Sequence, residues 1–209
     1  MFTTSSGIDT LLYLGASICL ARIASIWLEH LYQKNNHLKS HPHASDNRLL
    51  REAIFTLGFF LPILFIPAES TGELVWKSFF CFFMIMISYT DWKQQLIFDQ
   101  HLLLCTGIGI LPLLYTPALL PEHLLAAIAA SLCFLLLSIL THGGIGGGDI
   151  KLLFVLGIWL KGQHLYEVIL IGFLLGGLLA LLLLLGCHKT RKDFMPYGPC
   201  FALTAVFFI

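Results

Sequence analysis

Apolar residues run along this chain in long blocks, separated by short polar stretches, rather than at the period of a surface helix or strand. A transmembrane helix needs about 20 mostly apolar residues. Eight blocks come near that, at about residues 8–32, 53–68, 74–90, 101–116, 122–140, 152–160, 165–187 and 196–209. Between them, 33–52 is the most polar stretch and is expected to be an aqueous loop; 69–73 and 117–121 read as turns, and 91–100 as a polar loop. The first block holds Arg22 and Glu29, seven apart and so on about one helical face, which should point into the bundle or the interface. Pro62 lies inside the second block, and Gly107, Gly109 and Pro112 interrupt the fourth. The sixth is short and is expected to be a broken or partly buried helix, since non-helical backbone at membrane depth persists only where protein or a wet cavity encloses it. In the seventh, Gly172 and Gly176 have GxxxG spacing and predict a tight helix contact. The eighth stops after too few residues to cross.

Composition turns this pattern into a class. The residues are 57% hydrophobic and 11% charged, with a mean hydropathy of +0.85, against roughly 25% charged in soluble domains. The expected fold is all-α, a polytopic membrane bundle of about eight segments, with 1–52 forming a first helix and polar loop and 53–209 the core. The formal net charge is zero, so lipid and not nucleic acid is the implied surrounding; oligomeric state is left open. Residues 1–7 hold no Lys or Arg, so the first block reads as a retained span and not a cleaved signal. Cys19, Cys81, Cys105, Cys133, Cys187 and Cys200 are scattered singly and read as small buried hydrophobes. With residue 1 outside, nine basic residues (Lys34, Lys39, Arg48, Arg51, Lys93, Lys151, Lys189, Arg191, Lys192) fall inside, and Lys77 and Lys161 on the other side. That bias puts the stretches around Asp91, Asp149 and Arg191 on the cytoplasmic face.

The chemistry centres on residues 142–153, HGGIGGGDIKLL, where five glycines in six positions run into Asp149 and then Lys151. A carboxylate at a bilayer boundary is costly and reads as functional by default. Glycine there supplies either positive φ or room for another backbone; the plain alternative is a polar loop. A P-loop is excluded because Asp149 and Ile150 follow Gly148, and a dinucleotide fingerprint because Asp149 stands where glycine is needed.

Asp91 follows the third block and Asp149 precedes the sixth, so both carboxylates are expected at one shallow cytoplasmic depth. Two carboxylates sharing a site repel until one keeps its proton; the ionised one then deprotonates water while the other donates to a scissile carbonyl. Each acid also has an ordinary reading, Asp149 as a helix N-cap and Asp91 in a solvated turn. Lys151 either holds the Asp149 charge, contacts substrate, or marks topology. Asp99 is expected to fix its loop. His37, His41 and His43 read as soluble loop rather than a metal set.

The chain resembles the type IV prepilin peptidases, membrane aspartyl peptidases of the GxGD class. The resemblance rests on Gly146-Gly147-Gly148-Asp149-Ile150-Lys151-Leu152, matching GxGDxKL, and the following Leu156-Gly157-Ile158-Trp159-Leu160. Asp91 stands eight residues before Asp99, with Ile97 between, like the family's first acid and its downstream IPD or IPN. Met195-Pro196-Tyr197-Gly198-Pro199 looks like its (I/M)PFGP element. By resemblance Asp91 and Asp149 are the catalytic pair, with Gly146, Gly148, Lys151 and Asp99 in support. It also implies pilin or pseudopilin precursors as substrates, cut at the inner-membrane cytoplasmic face, and no cofactor. Phe98 replaces the family's Pro, which bears on the turn before Asp99. Larger members carry a cysteine tetrad in the first cytoplasmic loop and methylate the new N-terminus; 33–52 has no cysteine, so methyl transfer does not carry over. Two other classes compete, an ion-coupled transporter with broken helices and a non-catalytic pilin-assembly subunit.

Overall fold

The computed structural model describes residues 7–34, 47–186 and 197–209. Among them all regular structure is helical, as the blocks predict. The helices are α1 (Gly7–Lys34), α2 (Arg48–Phe60), α3 (Pro62–Phe65), α4 (Thr71–Gln94), α5 (Asp99–Tyr115), α6 (Leu120–Leu140), α7 (Gly147–Trp159), α8 (Gly162–Gly186) and α9 (Gly198–Phe208), with a 3-10 turn at Pro117–Leu119. This is a membrane protein: α1, α4, α6 and α8 are long and apolar enough to cross a bilayer. The other expected segments fall short of about 20 residues: α2 and α3 have 13 and 4, α5 17, α7 13 and α9 11. Pro62 divides the second block, because its ring and missing N–H stop α2 and suit the first position of α3.

Helix reaches into both expected loops. Asn47 caps α2 by accepting the Leu49 N–H at 3.1 Å, so Arg48–Glu52 is its first turn; residues 35–46, with His37, His41 and His43, lie outside the described ones. α4 continues to Gln94 and α5 starts at Asp99, leaving only 95–98 between them. Polarity in both stretches marks where helices leave apolar surroundings, not where they end.

The chain divides into two compact units, Met1–Met86 and Ile87–Ile209. In the first, α1 packs on α2 through a polar seam. The Arg51 side chain is 2% exposed and donates to Ser25 Oγ at 2.7 and 2.9 Å and to Glu29 at 2.5 Å. Arg22 lies 3.6 Å from Glu52, so the shared face of Arg22 and Glu29 is turned to α2. Phe59 meets Tyr13, Phe79 and Phe82 ring to ring, and the Tyr13 hydroxyl donates to Ser78.

In the second unit the innermost element is α7, buried from Leu152 to Trp159 except for Phe154. Of the two forms expected, broken or partly buried, it takes the buried one as a single continuous helix, and its neighbours approach through glycines. A Cβ on Gly157 would overlap the Ala127 backbone of α6, and one on Gly109 of α5 would stand 2.5 Å from the Trp159 indole nitrogen. Trp159 Nε1 donates to the Cys105 carbonyl at 2.9 Å, and His123 Nδ1 to the Ile158 carbonyl at 2.9 Å. These bonds and the buried Leu113, Ala127 and Ile158 lock α5, α6 and α7 together. Gly172 and Gly176 do make the tight contact expected, receiving the rings of Phe201 on α9 and of Tyr197, the residue before it. Of the described cysteines all are free; Cys81, Cys105 and Cys200 are buried, whereas Cys19 and Cys133 are exposed on α1 and α6. Cys187 lies outside the described residues.

Candidate active site

Asp91 is in the last turn of α4, not in the loop after it, and is 6% exposed. A carboxylate at a helix C-terminus faces the wrong end of that helix's dipole. The compensation comes from α9. Gly198 opens that helix, and its backbone N–H donates to Asp91 Oδ2 at 2.9 Å. Pro199 has no N–H, and the Cys200 N–H returns to the Tyr197 carbonyl at 3.0 Å, so Gly198 carries the donor left over at this helix start. The approach is close enough to require glycine: a Cβ there would lie 2.6 Å from Asp91 Oδ2 and 3.1 Å from its Cγ.

Asp149 occupies the first turn of α7, whose N-cap is Gly146, so the expectation of Asp149 itself as N-cap is corrected. Its N–H bonds to the Gly146 carbonyl at 3.1 Å, and the residue is partly buried. Burial first, and then the negative charge of Asp91, push the Asp149 carboxyl up to about 7. That influence of Asp91 places the two acids in one electrostatic site although they come from different helices.

The glycines of this stretch divide by job. Only Gly143 has positive φ, +89°, beside His142 at +52°. There α6 ends in a Schellman turn, with the Gly143 N–H on the Ser138 carbonyl and the His142 N–H on Ile139. Gly146 and Gly148 instead leave room. A Cβ on Gly146 would stand 3.2 Å from Asp149 Oδ2, and one on Gly148 3.2 Å from Ile97 Cβ, while Gly147 between them meets nothing within 4 Å. The spacing G-x-G-D thus follows from contacts at the first and third positions and open space at the second.

Ile97 brings in the segment before α5. Phe98, at its N-cap, has φ −75°, within the range a proline would impose, so the replacement keeps the backbone a proline would give. Asp99 follows as the first residue of α5 and accepts from Lys151 Nζ at 2.7 Å, with both side chains more than half exposed. Lys151 therefore pairs with Asp99 and not with Asp149. Asp91, Asp149, Gly146 and Gly148 lie in one neighbourhood; Asp99 and Lys151 form a strap beside them. Gly198 and Ile97 also belong to the site, although nothing in the motifs that contain them marks either as a contact of an acid or of its helix. The available signal was a Gly-Pro pair opening a helix. Among the described residues no three His, Cys, Asp or Glu side chains converge as a metal set.

Residues 78–181, about half the chain, match the model of the Type IV leader peptidase family. The chain is 29% identical over 140 residues to a prepilin leader peptidase/N-methyltransferase of Bacillus subtilis, covering 64% of this chain and 54% of that one. To the protein of the same name from Xanthomonas campestris it is 31% identical over 135 residues, covering 60% and 47%. The chain thus spans about half the length of these relatives. No solved structure matches it significantly. The matched residues contain both acids together with Gly146 and Gly148, and the chain belongs to the type IV leader peptidase family.

Proposed function

We propose that this protein is a membrane aspartyl endopeptidase that removes the basic leader from type IV prepilins or type II secretion pseudopilins at the cytoplasmic face of the bacterial inner membrane, with Asp91 and Asp149 as its catalytic residues. The observation that carries the reading is the electrostatic coupling of the two carboxyls in a partly buried site, the arrangement in which one proton is shared and water is activated. One carboxylate takes a proton from water as the oxygen attacks the scissile carbonyl, and the other carboxyl gives its proton to the carbonyl oxygen. As the gem-diol collapses, the amine leaves with the first proton and the donor recovers its own, so both acids are restored. The family match and the names of the relatives support a prepilin-type substrate. The excess of basic residues on one side of the predicted spans supports the cytoplasmic face. Asp99 and Lys151 brace the segment that carries Ile97 against the first turn of α7.

The test is cleavage of a pilin precursor by the purified protein in detergent. Asp91→Asn and Asp149→Asn should each abolish product while remaining membrane-inserted, and Asp99→Asn should only reduce it. Near-normal turnover by either of the first two variants would end the shared-carboxylate reading.

A further inference from the structure

The two acids of the site are not equivalent, and their surroundings differ in one chemically decisive contact. Asp91 Oδ2 accepts the Gly198 N–H at 2.9 Å, at the start of an 11-residue helix. An N–H aimed at a carboxylate oxygen stabilises the charged form and gives nothing to the O–H form of that same oxygen. Asp149 receives no hydrogen bond from any described donor. It shares the favourable end of a helix dipole, that of α7, but no N–H of that first turn reaches its carboxyl, and burial outweighs the dipole. We infer that Gly198 divides the labour of the pair: its N–H holds Asp91 as the ionised base that activates water, so that the shared proton resides on Asp149, the acid that protonates the scissile carbonyl.

The inference rests on the peptidase reading for its chemistry, but its geometry is independent of substrate. In the hydrolysis above, the water proton then goes to Asp91 and on to the leaving amine, while the Asp149 proton goes to the carbonyl oxygen and returns. The other titratable groups on the elements that build the site do not supply a competing charge. Lys151 on α7 is paired with Asp99 on α5, at 2.7 Å. Cys200 on α9 is a buried thiol held neutral by burial and by Asp91. Lys93, two residues after Asp91 on α4, is not among the charges that act on either acid, and His101 is enclosed in α5 against the Phe98 ring. Gly198 is a positioning residue: it acts through Asp91, and glycine is required because any Cβ would occupy the space of the carboxylate.

The experiment reads protonation directly. Infrared spectra of the full chain in an ester-free detergent, at about pH 7, the Asp149 value, report protonated carboxyls by their C=O stretch. Difference spectra against wild type should show that Asp149→Asn loses one protonated-carboxyl band and that Asp91→Asn keeps it. In the Asp149→Asn background, Gly198→Ala should bring a protonated band back, because Asp91 has lost its donor. A band that is absent from wild type, persists in Asp149→Asn, or vanishes in Asp91→Asn overturns the division of roles. A double variant that stays without the band overturns the part assigned to Gly198. The single variants need no tolerance of a side chain at 198, so a Gly198→Ala protein that fails to fold leaves the first test standing. None of these spectra depends on turnover, so a protein that cleaved no precursor would refute the peptidase reading while leaving the proton's location decided.

Discussion

Replacing the two adjacent glycines Gly147 and Gly148 by alanine, one at a time, should give opposite results although the changes are chemically identical. At 147 the added methyl meets nothing within 4 Å. At 148 it stands 3.2 Å from Ile97 Cβ and 3.4 Å from its Cγ1 and Cδ1. Carbon contacts are comfortable from about 3.5 to 4.0 Å, so the first turn of α7 and the Ile97 segment must separate by about 0.4 Å. Asp149 is the next residue and moves with that turn. A misplacement of about 1 Å at a catalytic group costs about 100-fold. Scaled in the exponent, about 0.4 Å predicts about a sixfold loss of kcat for Gly148→Ala. Stability should move less, because overpacking of about 1–3 kcal/mol is offset by up to about 1 kcal/mol of helix propensity. Gly147→Ala should stay within about twofold of wild type, with the same small propensity gain. Precursor cleavage under single-turnover conditions, with thermal unfolding in detergent alongside, measures both. If Gly147→Ala is as damaging as Gly148→Ala, the glycines serve flexibility and not clearance, and the contact argument fails.

Cleavage should also depend on pH in a defined direction. Asp149 holds its proton to about 7, so as the acid it loses function as pH rises through about 7, and a pH–rate profile should fall on that side. In the first unit, Arg51→Ala leaves the buried Ser25 hydroxyl and the partly exposed Glu29 without their guanidinium partner and should lower stability by about 1–2 kcal/mol; the exposed Arg48→Ala should change it far less. Thermal melts in detergent compare them. Activity should survive a metal chelator, because aspartates do the chemistry. The mature product should carry no added methyl group when a methyl donor is present, which mass spectrometry decides; restoration of lost cleavage by zinc, or a methylated product, would refute these two expectations. Shortening the chain within 35–46 should cost little, whereas deletions reaching Arg51 should not be tolerated.

Which residues form helices, and that the chain belongs in a membrane, were legible from the sequence alone, because the bilayer's demand for long apolar segments is written residue by residue and needs no partner. The candidate acids were legible for a related reason: Asp91 and Asp149 interrupt apolar surroundings that tolerate few charges. Helix ends were not. The polar residues 48–52 and 91–94 belong to helices, since polarity reports the local solvent while the backbone bonds continue. Only tertiary structure decided what each acid touches. Lys151 is two residues from Asp149 but reaches Asp99, and Gly198 is remote in the chain from Asp91 yet lends it an N–H. The same holds for the glycines: sequence shows a flexible run, but which member needs positive φ and which merely needs to be small depends on Ile97, Ala127 and the Asp91 carboxylate standing where other helices carry them. Periodicity and solvent preference are properties of a segment, whereas clearance and hydrogen-bond partners are properties of the space between segments, and that space exists only once the helices have packed.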